Sequence, residues 1–194
     1  MAMLDFHAMA AMPFHFWSVV AFVFGCTVGR FLNGCIHRMP LGRSIVSPPA
    51  HCPHCQSSIP GYLNIPLVTW VMLRARCAHC GAPIAARYFL VELLTGVAFL
   101  ASWLALGHQA VALALVYCLV LSGFIAATFI DFENFIIPDE ITLGGVAAGF
   151  LCSFVVPGLQ GARTPTAGLQ RSFLGILVGA GVIYVILRLG KLLF

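Results

Sequence analysis

Four of the six acidic residues in the 194-residue chain, Asp131, Glu133, Asp139 and Glu140, fall within ten positions. They stand in the stretch IDFENFIIPDEI, whose first residue closes an uncharged apolar run from Gln109 to Ile130. Two carboxyl groups held close together share one proton, because both cannot ionise at once. One member of such a pair can take a proton from water while the other donates to a scissile carbonyl. Asp131 follows the apolar run at a predicted helix C-terminus, the unfavourable end of the helix dipole for a carboxylate. An ionisable group at the edge of membrane depth is costly and is a functional candidate on that ground. The alternative for the whole stretch is a solvated turn between two spans. That alternative accounts for Asp139 and Glu140, which follow Pro138 and suit the positive N-terminal end of the next helix. It does not account for Asp131, which is therefore the candidate catalytic residue.

A second constellation lies upstream. The segment CPHCQSSIPGYLNIPLVTWVMLRARCAHC places Cys52 and Cys55 in one CxxC knuckle and Cys77 and Cys80 in another, with 21 residues between the two. A CxxC turn lets two thiolates reach one ion, and two such turns complete a tetrahedral four-sulfur shell. A closed shell of this kind leaves no position for water, so zinc there is structural and holds the segment together. Disulfides and redox use of either pair are the competing readings; a reducing cytoplasm argues against the first, and the second needs a thioredoxin-like setting. His54 and His79 sit inside the knuckles as possible competing ligands, with an exposed, non-ligating role as the plainer reading. Cys26, Cys35, Cys118 and Cys152 lie in or beside apolar spans, where cysteine packs as a small hydrophobe.

The elements that must position these groups are membrane helices. The chain is 61% hydrophobic and 8% charged, with a mean hydropathy of +1.00, against about a quarter charged residues in a soluble domain. A net charge of +4 from few, scattered groups, with no basic run, excludes nucleic-acid binding. Five apolar segments approach the ~20 residues of a span, at roughly 14–36, 89–107, 109–130, 141–157 and 172–194. The expected architecture is an all-α polytopic membrane protein of about five transmembrane helices with a small cytoplasmic zinc-binding loop domain. Its parts are residues 1–36 (tail and first helix), 37–88 (four-cysteine domain) and 89–194 (the remaining helices). The first sixteen residues hold no Lys or Arg, unlike a cleaved signal peptide. Arg38, Arg43, Arg74, Arg76 and Arg87 all lie in the 37–88 loop, which places it in the cytoplasm and the N-terminus outside. Arg163 and Arg171 in the 158–171 loop run against that assignment but are fewer.

Several linked stretches resemble one family in its own order: GRFLNGCIHRMP (29–40), the doubled CxxC, NIPLVTW (64–70), RCAHCGAPIAARYFLVELLTG (76–96) and IDFENFIIPD (130–139). The resemblance is to the type IV prepilin peptidases, bacterial inner-membrane aspartic proteases that also N-methylate the new N-terminus. It implies cleavage of the basic leader from prepilins or pseudopilins of type IV pilus and type II secretion systems. Methyl transfer from S-adenosylmethionine follows in the family, and the partners are prepilins and membrane lipid. The family's first aspartate maps onto Asp131. Its second lies in a GxGD motif after a later membrane helix, and no Asp or Glu occurs here beyond Glu140. The expectation is a member lacking its C-terminal part, and the alternative is a non-catalytic zinc-bound membrane protein that binds prepilins or assembly factors. Arg30 and Phe89 also depart from the family's small residue and proline. Glu92 is expected to serve structurally, as an interfacial residue or as the partner of Arg87 or Arg30.

Overall fold

The computed structural model describes residues 14–46, 52, 54–58, 60, 65–107 and 110–193. The N-terminal tail through residue 13, expected outside the cytoplasm, lies outside the described residues. The described chain is helical, with no strand among the described residues, only isolated bridge positions at Ser58 and between Arg76 and Pro83. It divides into two units, Met1–Pro138 and Asp139–Phe194.

In the first unit, α1 (Phe14–Arg38) ends in a 3₁₀ turn, Met39–Leu41. After the loop come the short α2 (Val68–Met72), then α3 (Ala86–Leu106) and α4 (Val111–Asn134). At 1.5 Å per residue a helix of 25 residues, the length of α1, rises roughly 37 Å, enough for the hydrocarbon core of a bilayer. α1, α3 and α4 pack mutually, yet Val19, Phe24, Leu94, Leu115 and Phe124 remain exposed on their outer faces. Those faces meet lipid, which is as apolar as they are, so burial against water cannot drive the three helices together. Close packing does. A Cβ on Gly29 would lie 2.7 Å from the Cα of Glu92, and one on Gly25 2.8 Å from the Cβ of Phe99. These two glycines, four apart on one face of α1, let its backbone approach α3. Gly29→Val should therefore force the helices apart, lowering stability in detergent by about 1–3 kcal/mol. A thermal melt matching that of the unmodified chain would refute this.

Hydroxyls inside the helices are satisfied along their own turns. Thr95 Oγ1 donates to the carbonyl of Val91 at 2.7 Å, Ser102 Oγ to Ala98 at 2.9 Å and Ser122 Oγ to Cys118 at 2.8 Å. In an apolar surrounding an unpaired hydroxyl is costly, so back-bonding is how these residues are tolerated.

The second unit is a helical hairpin of α5 (Asp139–Val155), a 3₁₀ turn (Pro157–Gln160) and α6 (Pro165–Leu193). Asp139 and Glu140 occupy the first turn of α5, directly after Pro138, where a negative charge is favoured. The hairpin closes tightly because Gly168 leaves room for the carbonyl of Ser153, 2.5 Å from where a Cβ would stand. Arg171 Nη1 donates to the carbonyl of Gln160 at 2.8 Å, tying α6 back to the 3₁₀ turn. Helices thus occupy all five apolar segments. Four have the length and hydropathy of a span, while α5, with 17 residues, is shorter. The chain is a multi-pass membrane protein.

Candidate metal knuckles and membrane-edge carboxylate

The two CxxC segments fold alike. In the first, the amide of Gln56 donates to the carbonyl of Cys52 at 2.9 Å and the amide of Cys52 to Ser57 at 3.0 Å. In the second, Gly81 donates to Cys77 at 3.0 Å and Cys77 to Ala82 at 2.8 Å. Each turn needs a left-handed residue after its second cysteine, supplied by Gln56 (φ 56°) and Gly81 (φ 68°). The paired turns bring the four sulfurs together: Cys52 and Cys80 Sγ stand 3.9 Å apart, Cys55 and Cys77 Sγ 4.0 Å, and all four within 4.8 Å. Sulfurs bound tetrahedrally to zinc at ~2.3 Å are about 3.8 Å from one another, so the set fits that ion. All four are free thiols, and neither His54 nor His79 joins the group.

Ligation needs thiolates, and the turns supply one. The backbone amides of Cys80 and then His79 lower the Cys77 thiol to about 6. The amide of Ala82 acts in the same direction on Cys80, but loss of solvent and the neighbouring thiols Cys55, Cys77 and Cys52 together outweigh it and push Cys80 up to about 11.

Beyond the second knuckle the chain is anchored to the membrane helices twice. Arg87, on the first turn of α3, forms an ion pair with Glu133 on the last turn of α4 and lies 4.9 Å from the centroid of the Tyr88 ring. Glu92, one turn further into α3 and 2% exposed, accepts from Arg30 Nη1 at 3.2 Å and from the backbone amide of Leu67 at 2.7 Å. Of the two partners weighed for Glu92, Arg30 is the one it takes. The Leu67 contact had no signal in the sequence, because it depends on a left-handed backbone at that residue (φ 59°). The Arg87–Glu133 pair was likewise hidden, and it changes the reading of the acidic stretch. Glu133 is half of a bridge at the end of α4.

Asp131 is different. It lies on the last turn of α4, exposed, and among the described residues its carboxylate has neither a hydrogen bond nor an ion pair. Its carbonyl accepts from the amide of Phe135 at 2.8 Å, where a left-handed residue (φ 55°) ends the helix. The helix C-terminus offers this carboxylate no compensating dipole.

Known families cover both constellations. A sequence profile described as the bacterial peptidase A24 N-terminal domain matches residues 23–106, and one described as the type IV leader peptidase family matches residues 118–192. The chain belongs to the type IV leader peptidase family. Within this family member the first profile takes in both knuckles, Arg30, Arg87 and Glu92, and the second takes in Asp131 and the hairpin of α5 and α6. A prepilin leader peptidase/N-methyltransferase of Myxococcus xanthus is 39% identical over 192 residues, covering 91% of this chain and 56% of that protein. A type 4 prepilin-like proteins leader peptide-processing enzyme of Escherichia coli is 38% identical over 189 residues, covering 88% and 65%. A prepilin leader peptidase/N-methyltransferase of Aeromonas hydrophila is 36% identical over 178 residues, covering 76% and 59%. This leader peptidase family member thus spans 56–65% of the length of these three relatives. No solved structure matches it.

Proposed function

We propose that this chain takes part in processing prepilins or pseudopilins in the bacterial inner membrane, as a membrane aspartic endopeptidase whose product is N-methylated. The observation that carries the reading is Asp131: an exposed carboxylate that has no partner among the described residues, at the membrane-edge end of a helix uncharged from Val111 to Ile130. As a base it takes a proton from water, which attacks the scissile carbonyl at the leader–helix junction of a membrane-embedded substrate. A second, protonated carboxyl has to donate to the carbonyl and to the leaving amine. In the resemblance that group belongs to a GxGD motif, and Glu133, held by Arg87, does not replace it. The four thiols of Cys52, Cys55, Cys77 and Cys80 hold one zinc ion, whose charge satisfies the cluster and whose role is structural. The methyl donor is S-adenosylmethionine.

The engagement of Glu133 also favours a second reading, in which the chain binds prepilins or assembly factors without cutting them. Leader loss from a prepilin, followed on a gel, separates the two. An uncut prepilin in membranes where the chain has been given a GxGD-bearing helix would end the peptidase reading.

Both readings place the 37–88 loop in the cytoplasm, on the evidence of its five arginines. An engineered cysteine at Ser47, which lies outside the described residues, should be shielded from a membrane-impermeant thiol reagent in intact cells and label once the membrane is opened. Strong labelling of intact cells would invert the topology and move Asp131 to the wrong side for a cytoplasmic leader.

A further inference from the structure

The short helix α2 divides its side chains between two faces. Thr69, Trp70 and Leu73 turn inward and, with Asn33 of α1, line a cavity of about 440 Å³. Val68, Val71 and Met72, at the three- and four-residue spacing of one helix face, lie on the other side. Val71 is 60% exposed and Met72 75%, and Ile65, just ahead of the helix, is exposed as well. Five residues do not hold a helix in water, where isolated helices shorter than about 12 residues are marginal. The start of α2 is fixed by the Leu67 amide, which donates to Glu92 at 2.7 Å. Its end is set by left-handed Arg74 and Ala75 (φ 50° and 58°), with the Ala75 amide donating to the Trp70 carbonyl at 2.9 Å.

Those anchors give α2 a definite depth. With 21 residues, α3 rises roughly 31 Å, about the thickness of the hydrocarbon core, so it needs nearly its whole length to cross. Its apolar run begins at Phe89, straight after Arg87 and Tyr88. Trp70 packs on Phe89 with ring centroids 5.0 Å apart, and Glu92, which holds Leu67, stands almost one turn further in. Helix α2 therefore lies beside the first turns of α3, at the hydrocarbon boundary, where tryptophan is favoured. Leu90 and Leu94 on those turns of α3 are exposed too, so lipid reaches this level. Facing water, the cluster of Ile65, Val68, Val71 and Met72 would be an unexplained apolar patch; at this depth it meets acyl chains. The residues that follow fit the same setting. Arg74 and Arg76 are exposed, neither guanidinium has a partner among the described residues, and residues 37–88 hold no Asp or Glu. Arginine stems can lie along apolar surface while their heads reach phosphate.

We propose that α2 is an interfacial anchor. Its face of Val68, Val71 and Met72, with Ile65, beds into the leaflet beside the start of α3, and Arg74 and Arg76 bind the phosphates of anionic phospholipid. The depth set by α3 and the flanking arginines favour the bilayer itself over an apolar segment of another protein. The anchor requires neither cleavage nor methyl transfer, only that α3 crosses the membrane. It attaches the segment between the two knuckles to lipid directly, beside its bond to Glu92.

The test puts a photoreactive benzophenone amino acid in place of Met72 in the purified 194-residue chain. The chain is reconstituted into vesicles of phosphatidylcholine with a minority of phosphatidylglycerol, with zinc content and elution profile as controls of folding. Illumination should join position 72 to phospholipid. Mass spectrometry of the joined lipid should find phosphatidylglycerol enriched about fivefold over its share, roughly what one arginine at an anionic surface provides. Arg74→Gln combined with Arg76→Gln should remove that enrichment and leave the joining to lipid in place. If the probe at position 72 costs the protein its zinc, the same measurement with the probe at Val71 decides. Zinc-loaded protein that joins no lipid would overturn the anchor. Enrichment unchanged in the double variant would overturn the role of the arginines. A prepilin placed in the same vesicles should leave the joining to lipid as it was; transfer of the probe from lipid to the prepilin would overturn lipid as the occupant of this face.

Discussion

Asp131→Asn should abolish prepilin cleavage in membranes where residues 1–194 have been joined to a GxGD-bearing helix, and the 194 residues by themselves should not cleave. The expectation follows from what surrounds Asp131. Its carboxylate is exposed and has no partner among the described residues, so it is available as a base; asparagine keeps its size and removes that capacity. Glu133 cannot act as the second carboxyl, because it sits two residues along the same helix end and is engaged by Arg87. Asp139 and Glu140 belong to the first turn of α5, where they suit the N-terminal end of the helix dipole. A lone carboxylate forfeits the acid that assists amine departure, and proton transfer by a positioned group is typically worth roughly 10²–10⁴-fold. The assay incubates each membrane preparation with a prepilin and follows leader loss over time. Cleavage by the 194-residue chain would show that two aspartates are not required. Full activity of the joined Asp131→Asn variant would remove Asp131 from the mechanism.

Cys52→Ser should lower zinc content and loosen residues 52–82 while leaving the protein in the membrane. The knuckle segment has few other sources of order. Its described residues form one five-residue helix, isolated bridge positions and the two turns, and only Cys52 and Thr69 within it are buried. For so small a segment the free energy of metal binding is the free energy of folding, of order 10–16 kcal/mol for structural zinc in small domains. Removing one of four sulfurs should therefore unfold the segment rather than weaken it slightly. The membrane helices pack through α1, α3 and α4 without the knuckles, so insertion should survive. Metal analysis and amide exchange over 52–82 measure the effect. Purified unmodified protein that carries intact free thiols and no zinc would refute it. Uptake of zinc by the stripped protein should also weaken as pH falls through about 6. The lowered Cys77 thiol is ionised above that value, and below it a proton competes with the metal for the sulfur.

A loosening of the knuckles would have a route toward Asp131. Arg87 follows Cys80 by only seven residues and reaches Glu133, two residues from Asp131. Glu92 anchors the loop at Leu67. The knuckles are thus tied to the ends of α3 and α4 by one ion pair at the membrane edge and one nearly buried carboxylate.

Composition and hydropathy were enough to establish the helices, because in a bilayer every backbone amide must be satisfied within its own helix and apolar length alone decides where a span can lie. The CxxC spacing was enough to group Cys52, Cys55, Cys77 and Cys80, because each tight turn is a local structure and two-thiol reach is a property of the motif. Asp131 stood out for the same local reason, as a carboxylate placed against the helix dipole. The tertiary structure decided which charges meet. Arg30 and Arg87 were both available to Glu92; the close approach of α1 to α3 through Gly25 and Gly29 put Arg30 beside it, and the packing of α3 on α4 left Arg87 for Glu133. Only folding could set Asn33 and Trp70, 37 residues apart, on the wall of one cavity with an unpaired acceptor and an unpaired donor. Such pairings depend on helix rotation and on left-handed residues such as Leu67, long-range geometry that neither periodicity nor motif spacing encodes.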